Sequence, residues 1–490
     1  MCVILNIFPK FYYGRQRIKN NMKIAFIYPP QTHKYFEEDI DIVSREFGVF
    51  PPLGLAYAAA INEQAGNKSI IIDANAEKLK LSDVLSRLRQ FKPDMLGFLL
   101  TAYGFFDALP WVRFLKKETG LPVLAGNVLC NMYPETIMRY PEFDYLIIGP
   151  ATESLPLLVD RIKKSQNLGG ISGVAWRCDG KVVIVNPATF KEDFSKLPFP
   201  ARHLLPNHRY HAIMSKRKNY TIMITSKGCD SKCTFCHIHG IPVSFRPEEM
   251  VVAEMEECYL KFGIREMDIF DPSFTMKRER VFKICEGIIK KGIDIHWACR
   301  TRVDQVDQEL LNIMSKAGCK RILYGIESGV DDNLRKMQKG IIVNQAKRAV
   351  DLTKKANIKS LGFFMLGVPG ETTETLNQTI RYSREIGLDY AQFHRTMAKP
   401  GTELSKQAND ALGYDYWKEY ISGCVMEKRL PTPWMYLSDR IIQKSTKYAY
   451  LKFYFRPRYL LGLIAGIRSW HELKRYGRSA LGLLLSRRDR

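Results

Sequence analysis

The sequence has no uninterrupted apolar run of the ~18 residues that a membrane-spanning helix needs. No secretory signal pattern is evident. Its 11 cysteines show no even spacing. That argues against a disulfide scaffold and for reduced thiols in the cytoplasm. Acid is in short supply: 51 Asp and Glu stand against 74 Lys and Arg, a net charge of +23. Partners are therefore expected to be anionic. Base-reading motifs are absent, so nucleic acid is not expected and an anionic membrane surface ranks above it. The first half lacks a G-x-G-x-x-G turn, which argues against a dinucleotide. Apolar residues are plentiful, at 46% of 490. A chain of that length and composition is globular, with room for two or three cores.

One stretch stands out against this background. Gly228-Cys229-Asp230-Ser231-Lys232-Cys233-Thr234-Phe235-Cys236 places three cysteines in C-x₃-C-x₂-C spacing, with an aromatic before the last. A short loop with this spacing can turn three thiolates toward one point. Thiolates are the ligands of iron–sulfur clusters, usually four per cluster, so three would leave one iron open. The bland alternatives are free thiols or a zinc half-site. Zinc sites more often pair two C-x₂-C units, and no second unit exists here. The preceding residues 220–226 (YTIMITS) read as a buried strand, so the loop sits where α/β folds place their chemistry.

The rest alternates strand and helix patterns on both sides of this loop. Residues 22–165 hold five strand–helix units, beginning with KIAFIY at 23–28. They imply a doubly wound, flavodoxin-like parallel sheet whose ligands bind outside the strand carboxyl ends. Residues 170–185 read as a hairpin turning at Asp179-Gly180. A Pro-rich linker near 197–206 then marks a boundary. His203, His208 and His211 read as linker histidines, with a substrate contact as the alternative. Six further strands follow, ending at residues 390–394. Ala408 to Gly413 (ANDALG) reads as the loop that closes this domain. Residues 448–485 interleave aromatics, leucines and basic residues. Such a segment suits an interfacial membrane contact, or a helical cap whose charges are solvated. Residues 1–21 are basic and irregular and read as an extension ahead of a start at Met22, or as a basic arm.

The cysteine motif after a strand resembles the signature of radical S-adenosylmethionine (SAM) enzymes. The resemblance implies a 4Fe–4S cluster on Cys229, Cys233 and Cys236, and an open iron chelated by SAM, whose reductive cleavage yields a 5′-deoxyadenosyl radical. It implies a partial (β/α)₆ barrel. Phe235 would then lie near the adenine, and the Phe270 to Phe274 stretch (FDPSF), with Asp271 and Ser273, near the SAM amino group. Arg300 or Arg302 would pair with the SAM carboxylate, and Glu327 would accept from the ribose. The first half is similar to the cobalamin-binding domain that precedes the barrel in one subfamily. The matching residues are Pro52, Leu53, Gly54, Asp73, Gly126 and Gly149, with Thr152 and Glu153 beyond the fifth strand. The D-x-H-x-x-G motif that supplies an axial histidine is absent, and His33 is the only histidine in this half.

The expected organisation is therefore an extension (1–21), a cobalamin-binding-like domain (22–165), a hairpin and linker (166–215), a radical SAM domain (216–410) and a basic helical region (411–490). The expected activity is methylation of an unactivated carbon on a lipid-like or other hydrophobic substrate, with flavodoxin or ferredoxin as reductant. The expected location is the cytoplasm, with contact at the inner face of the membrane. The rival readings are an oxidative ring cyclase of the magnesium-protoporphyrin monomethyl ester type and a non-catalytic cluster and cobalamin sensor.

Overall fold

The computed structural model describes residues 21–31, 48–178, 181–184, 193–425, 432–457 and 459–460. His33, Asp179, Gly180 and the two ends of the chain lie outside these residues. Runs rich in Ile, Leu and Phe make the strands of the first sheet: β1 (Lys23–Tyr28), β2 (Lys68–Asp73), β3 (Met95–Leu99), β4 (Val123–Gly126) and β5 (Tyr145–Ile147). They are parallel in the order β2-β1-β3-β4-β5, the flavodoxin-like arrangement. The hairpin strands β6 (Val174–Cys178) and β7 (Lys181–Ile184) add antiparallel to β5 and complete a seven-stranded sheet. The hairpin thus extends the first domain's sheet and is no part of a linker. Helices α1 (Leu53–Gln64), α2 (Leu81–Phe91), α3 (Phe105–Thr119), α4 (Val128–Met132) and α5 (Ala151–Lys163) cover the sheet. Both faces are buried, which is why the strands read as unbroken apolar runs.

The second sheet holds six parallel strands in sequence order: β8 (Tyr220–Met223), β9 (Glu266–Ile269), β10 (His296–Thr301), β11 (Cys319–Glu327), β12 (Lys359–Leu366) and β13 (Tyr390–Arg395). Outward side chains such as Cys299, Tyr324, Phe364 and Phe393 are fully buried under helices α6 (Glu248–Lys261), α7 (Arg278–Lys290), α8 (Gln308–Lys316), α9 (Asp331–Lys336), α10 (Val343–Lys355) and α11 (Thr373–Glu385). Inward ones such as Phe270, Arg300, Phe363, Gln392 and His394 keep part of their surface open. The barrel therefore encloses a bore instead of a packed plug.

One expectation fails beyond β13. The ANDALG stretch is helical: α12 spans Glu403–Leu412, and only Gly413, at φ +77°, serves as its left-handed cap. Thr402 caps the start, and the buried Leu404, Ser405 and Ala408 overrule the turn preference of Asn409 and Asp410. Next, α13 (Tyr416–Ile421) crosses back to the first domain. Its Tyr416, Trp417 and Tyr420 join the core around Phe105 and Phe143, and the Tyr140 hydroxyl donates to the Ile421 carbonyl.

The last described helix, α14 (Asp439–Tyr454), covers the edge strand β13. Ala449, Tyr450 and Phe453 are buried there, and the Tyr454 hydroxyl donates to the Ala391 carbonyl at 2.8 Å. Residues 448–454, expected at a membrane or as a cap, are thus a cap; 461–490 lie outside the described residues. No helix among the described residues is long and apolar enough to cross a membrane. Cutting the chain after Lys447 removes two buried aromatics worth about 3–6 kcal/mol and exposes a sheet edge. That truncation is expected to aggregate. A soluble, cooperatively folded 1–447 would contradict the cap.

Candidate active site

After β8 the chain must turn over the barrel mouth to reach the cysteines. Asp271, just past β9, holds that turn. Its buried carboxylate accepts from the backbone N–H groups of Thr225 at 2.6 Å and Ser226 at 3.0 Å, and from the Thr225 hydroxyl. Burial pushes the Asp271 carboxyl up in pKa. Both oxygens are engaged within the protein, so this side chain anchors the loop. Gly228 follows at φ +76°, where a Cβ would stand 2.2 Å from the Pro242 carbonyl oxygen. Only glycine fits that close approach.

The cysteine loop is tied down on two sides. Thr234 donates its N–H to the Met337 carbonyl at 3.1 Å, and Leu404 donates its own to the Thr234 carbonyl at 3.3 Å. Within the loop, the Cys236 N–H donates to the Cys233 carbonyl at 3.1 Å. Cys233 is buried, and Cys229 and Cys236 are half-buried. Burial pushes the thiols of Cys233 and Cys236 up in pKa, while Lys339 pulls both down, joined by Arg302 at Cys233 and Lys399 at Cys236. Among the described residues no three ligating side chains converge on a single ion. The expected single focal point is thus not formed, and a four-iron cluster, which takes its thiolates on separate irons, does not require one.

Cations surround the loop, and one of them was not foreseen. Lys339 forms a buried ion pair with Glu327 at 2.8 Å and lies 5.7 Å from the Phe235 ring centroid. Glu327 sits at φ +68° on a strand irregularity, and a Cβ on Gly325 would meet both charged groups at 2.7 Å. Nothing local to Lys339 signals this pairing; only β11's bulge brings the two together. Arg302 is committed to the protein. Its guanidinium pairs with Asp304 through two contacts of 2.9 Å and donates to the carbonyls of Lys339 (2.9 Å) and Gly340 (3.2 Å) and to Ser231 Oγ (3.2 Å). Ser273 is likewise engaged, with Thr301 Oγ1 at 3.0 Å. Arg300 differs. Its guanidinium stacks on Phe270 at 3.6 Å and has no hydrogen-bond or ion-pair partner among the described residues.

The bore behind the loop is aromatic. Phe363 and His394 lie 6.0 Å apart, and burial with Lys399 nearby pushes the His394 imidazole down to about 4, so it is neutral at assay pH. Phe50, from the first domain, packs on Phe270 at 5.7 Å and Tyr220 at 5.8 Å. The linker histidines stay outside: His203 is exposed beside Glu63 at 3.2 Å, and His208 and His211 are exposed.

The carboxyl edge of the first sheet gathers the other expected residues. Pro52 and Leu53 begin α1, and a Cβ on Gly54 would lie 2.6 Å from Leu99 at the end of β3. Gly126 ends β4, and Gly149, at φ +88°, has open space where its Cβ would stand. Thr152 and Glu153 lie in the first turn of α5. Such an open, glycine-flanked edge suits a bulky cofactor. Asp73 is buried, caps a short helix through Ala76 N–H and accepts from the Tyr210 hydroxyl at 2.8 Å. Burial pushes its carboxyl up to about 6. This edge meets the barrel mouth: a Cβ on Gly401, beyond β13, would touch Met132 at the end of α4 at 2.8 Å.

Comparison with known proteins agrees with this architecture. Residues 223–383 match the radical SAM superfamily model, and residues 41–159 match the B12 binding domain. The chain is 31% identical over 448 residues to an uncharacterized methyltransferase, PH0819, of Pyrococcus horikoshii, covering 90% of this chain and 94% of the relative. It is 25% identical over 483 residues to an anaerobic magnesium-protoporphyrin IX monomethyl ester cyclase of Rubrivivax gelatinosus, covering 94% and 85%. The solved structure of the cobalamin-dependent SAM radical enzyme OxsB shares the fold with a TM-score of 0.68 at 16% identity, over 95% of this chain and 72% of that one. The chain belongs to the radical SAM superfamily, in the branch with a preceding B12-binding domain, and is a methyltransferase-like enzyme that uses a 4Fe–4S cluster, SAM and cobalamin.

Proposed function

We propose that the enzyme methylates an unactivated carbon of a hydrophobic small molecule held in the bore. The observation that supports this most is the shared opening: the glycine-flanked edge of the first sheet faces the mouth that carries the cysteine loop, and Phe50 spans the two. When bound, the cofactors supply one-electron chemistry and a methyl group.

The chain's own residues have the remaining tasks. In this reading Cys229, Cys233 and Cys236 hold the cluster, with Lys339 and Arg302 offsetting its thiolate charge. Phe235 lies beside the adenine. Glu327 receives the ribose hydroxyls, held in place by its ion pair with Lys339. Pro52, Leu53, Gly54, Asp73, Gly126, Gly149, Thr152 and Glu153 border the cobalamin. Phe50, Phe270 and Phe363 exclude water, which suits radical chemistry. A one-electron carrier such as flavodoxin or ferredoxin delivers the electron. The basic, leucine-rich sequence of residues 461–490 supports a substrate met at an anionic membrane surface.

The experiment is a mass measurement. Anaerobically reconstituted enzyme is given SAM with a deuterated methyl group and an extract from a strain lacking the gene. The expected product gains one labelled methyl group as 5′-deoxyadenosine accumulates. An oxidised product without the label would replace this reading by the ring-cyclase one. Absence of 5′-deoxyadenosine would leave a sensor.

A further inference from the structure

The bore contains a cation that the cluster does not use. Arg300 and Arg302 both lie along the path of β10, two residues apart, so Arg300 sits about 7 Å deeper. Arg302 marks the level of the cysteine loop, because it donates to Ser231 Oγ at 3.2 Å. Arg300 is held at its own depth by Phe270, whose ring its guanidinium covers at 3.6 Å. Stacking fixes the plane of the guanidinium and leaves its N–H edge free for a planar fork. Burial pushes its pKa down against the pull of Asp268, yet Asp268 already pairs with Arg321 at 3.1 Å. A half-buried guanidinium with no acceptor of its own among the described residues is open to an anionic ligand.

The surroundings point the same way. In register with Arg300 stands Leu323, which pairs in turn with Leu361. One step nearer the mouth are Phe363 and Gln392, paired in register across β12 and β13. Gln392 Oε1 is buried without a hydrogen-bond partner among the described residues. An apolar wall, one open cation and one open amide describe a site for an amphiphile.

We propose that Arg300 binds an anionic group, a carboxylate or a phosphate, on an otherwise apolar substrate, and that it does not bind the carboxylate of SAM. SAM's amino-acid end belongs at the cluster, and the arginine at that level is occupied by Asp304 and the segment around Lys339. This assignment rests on the reading of the bore as the substrate chamber. It concerns binding, so it can fail or hold whatever chemistry follows.

The test uses the reconstituted, SAM-loaded enzyme and three fluorescent probes of one shape: 2-naphthoate, 2-naphthyl phosphate and neutral 2-naphthamide. At least one anion is expected to bind about tenfold or more tighter than the amide, the worth of a charge-assisted pair. The tighter anion names the substrate's head group. Arg300→Gln should level anions and amide, Arg300→Lys should keep part of the preference, and SAM affinity measured by equilibrium dialysis should change less than about twofold in either. No preference for an anion in the wild-type enzyme, whether all three probes bind or none does, would overturn the proposal. So would a tenfold loss of SAM affinity in both variants, which would return Arg300 to the SAM carboxylate. Should Arg300→Gln fold poorly, the lysine variant carries the same comparison.

Discussion

Cys233→Ala is expected to leave the reconstituted protein without the broad visible absorbance of its cluster and without any SAM cleavage. Cys233 is the most enclosed of the three thiols, at 6% exposure. Its neighbour Thr234 is fixed by main-chain hydrogen bonds to Met337 and Leu404, and its own carbonyl accepts the Cys236 N–H. Nothing close by can replace the thiolate: the other described cysteines are remote in the fold, such as Cys258 in the helix-packed barrel core and exposed Cys424 beyond α13. Loss should therefore be complete. Cys424→Ala provides the control and should retain about one cluster per chain. Gly228→Ala offers an independent check that removes no ligand. Its Cβ would collide with the carbonyls of Pro242 and Ile241, at 2.2 and 2.6 Å, in a left-handed conformation. Iron content should fall steeply there too, while far-UV dichroism holds. A cluster that survives Cys233→Ala would dismiss the ligand assignment.

Why the loop was readable and its surroundings were not follows from sequence separation. The three cysteines and Gly228 act within nine residues, and the strands announce themselves because both faces of each sheet are buried. KIAFIY at β1 needs no partner to be recognised. Arg302 does. Its acceptors at Ser231, Lys339 and Gly340 lie 71, 37 and 38 residues away, and of its partners only Asp304, two residues on, is near it in sequence. Asp271 looked like a ligand-facing acid, yet its partners Thr225 and Ser226 lie 46 and 45 residues back. Tyr450 and Phe453 read equally as a membrane contact or as a packed cap, because the face they cover belongs to β13. In ANDALG the local turn preference was real and lost to Thr402's cap and the burial of Leu404. The left-handed Glu327 and its pairing with Lys339 carry no local signal at all. Sequence disclosed the chemistry that sits in one loop. It did not disclose which charged side chains are already taken.

Glu254→Gln should cost about 3–5 kcal/mol of stability, the price of leaving buried cations without their counter-ion. Glu254 is on α6, 1% exposed, and sits between two arginines from different segments. Arg202 comes from the linker and reaches Glu254 at 3.1 Å while donating to the Ile222 carbonyl at 2.7 Å. Arg246 comes from just beyond the cysteine loop, pairs with the other carboxylate oxygen, and donates to the Pro198 carbonyl of the linker at 3.0 Å. It also approaches the hydroxyl of Tyr57 on α1 at 3.5 Å. One carboxylate thus joins the first domain, the linker and the barrel. The amide of Gln keeps one accepting oxygen but carries no charge to balance two guanidinium groups. Urea denaturation of the full chain measures the effect. The midpoint should drop, and because the Arg246 N–H donates to the Thr225 carbonyl at 2.9 Å, cluster retention should fall with it. A Glu254→Gln midpoint equal to wild type would show that the pairs contribute little and that aromatic contacts such as Phe50 on Phe270 hold the domains together instead.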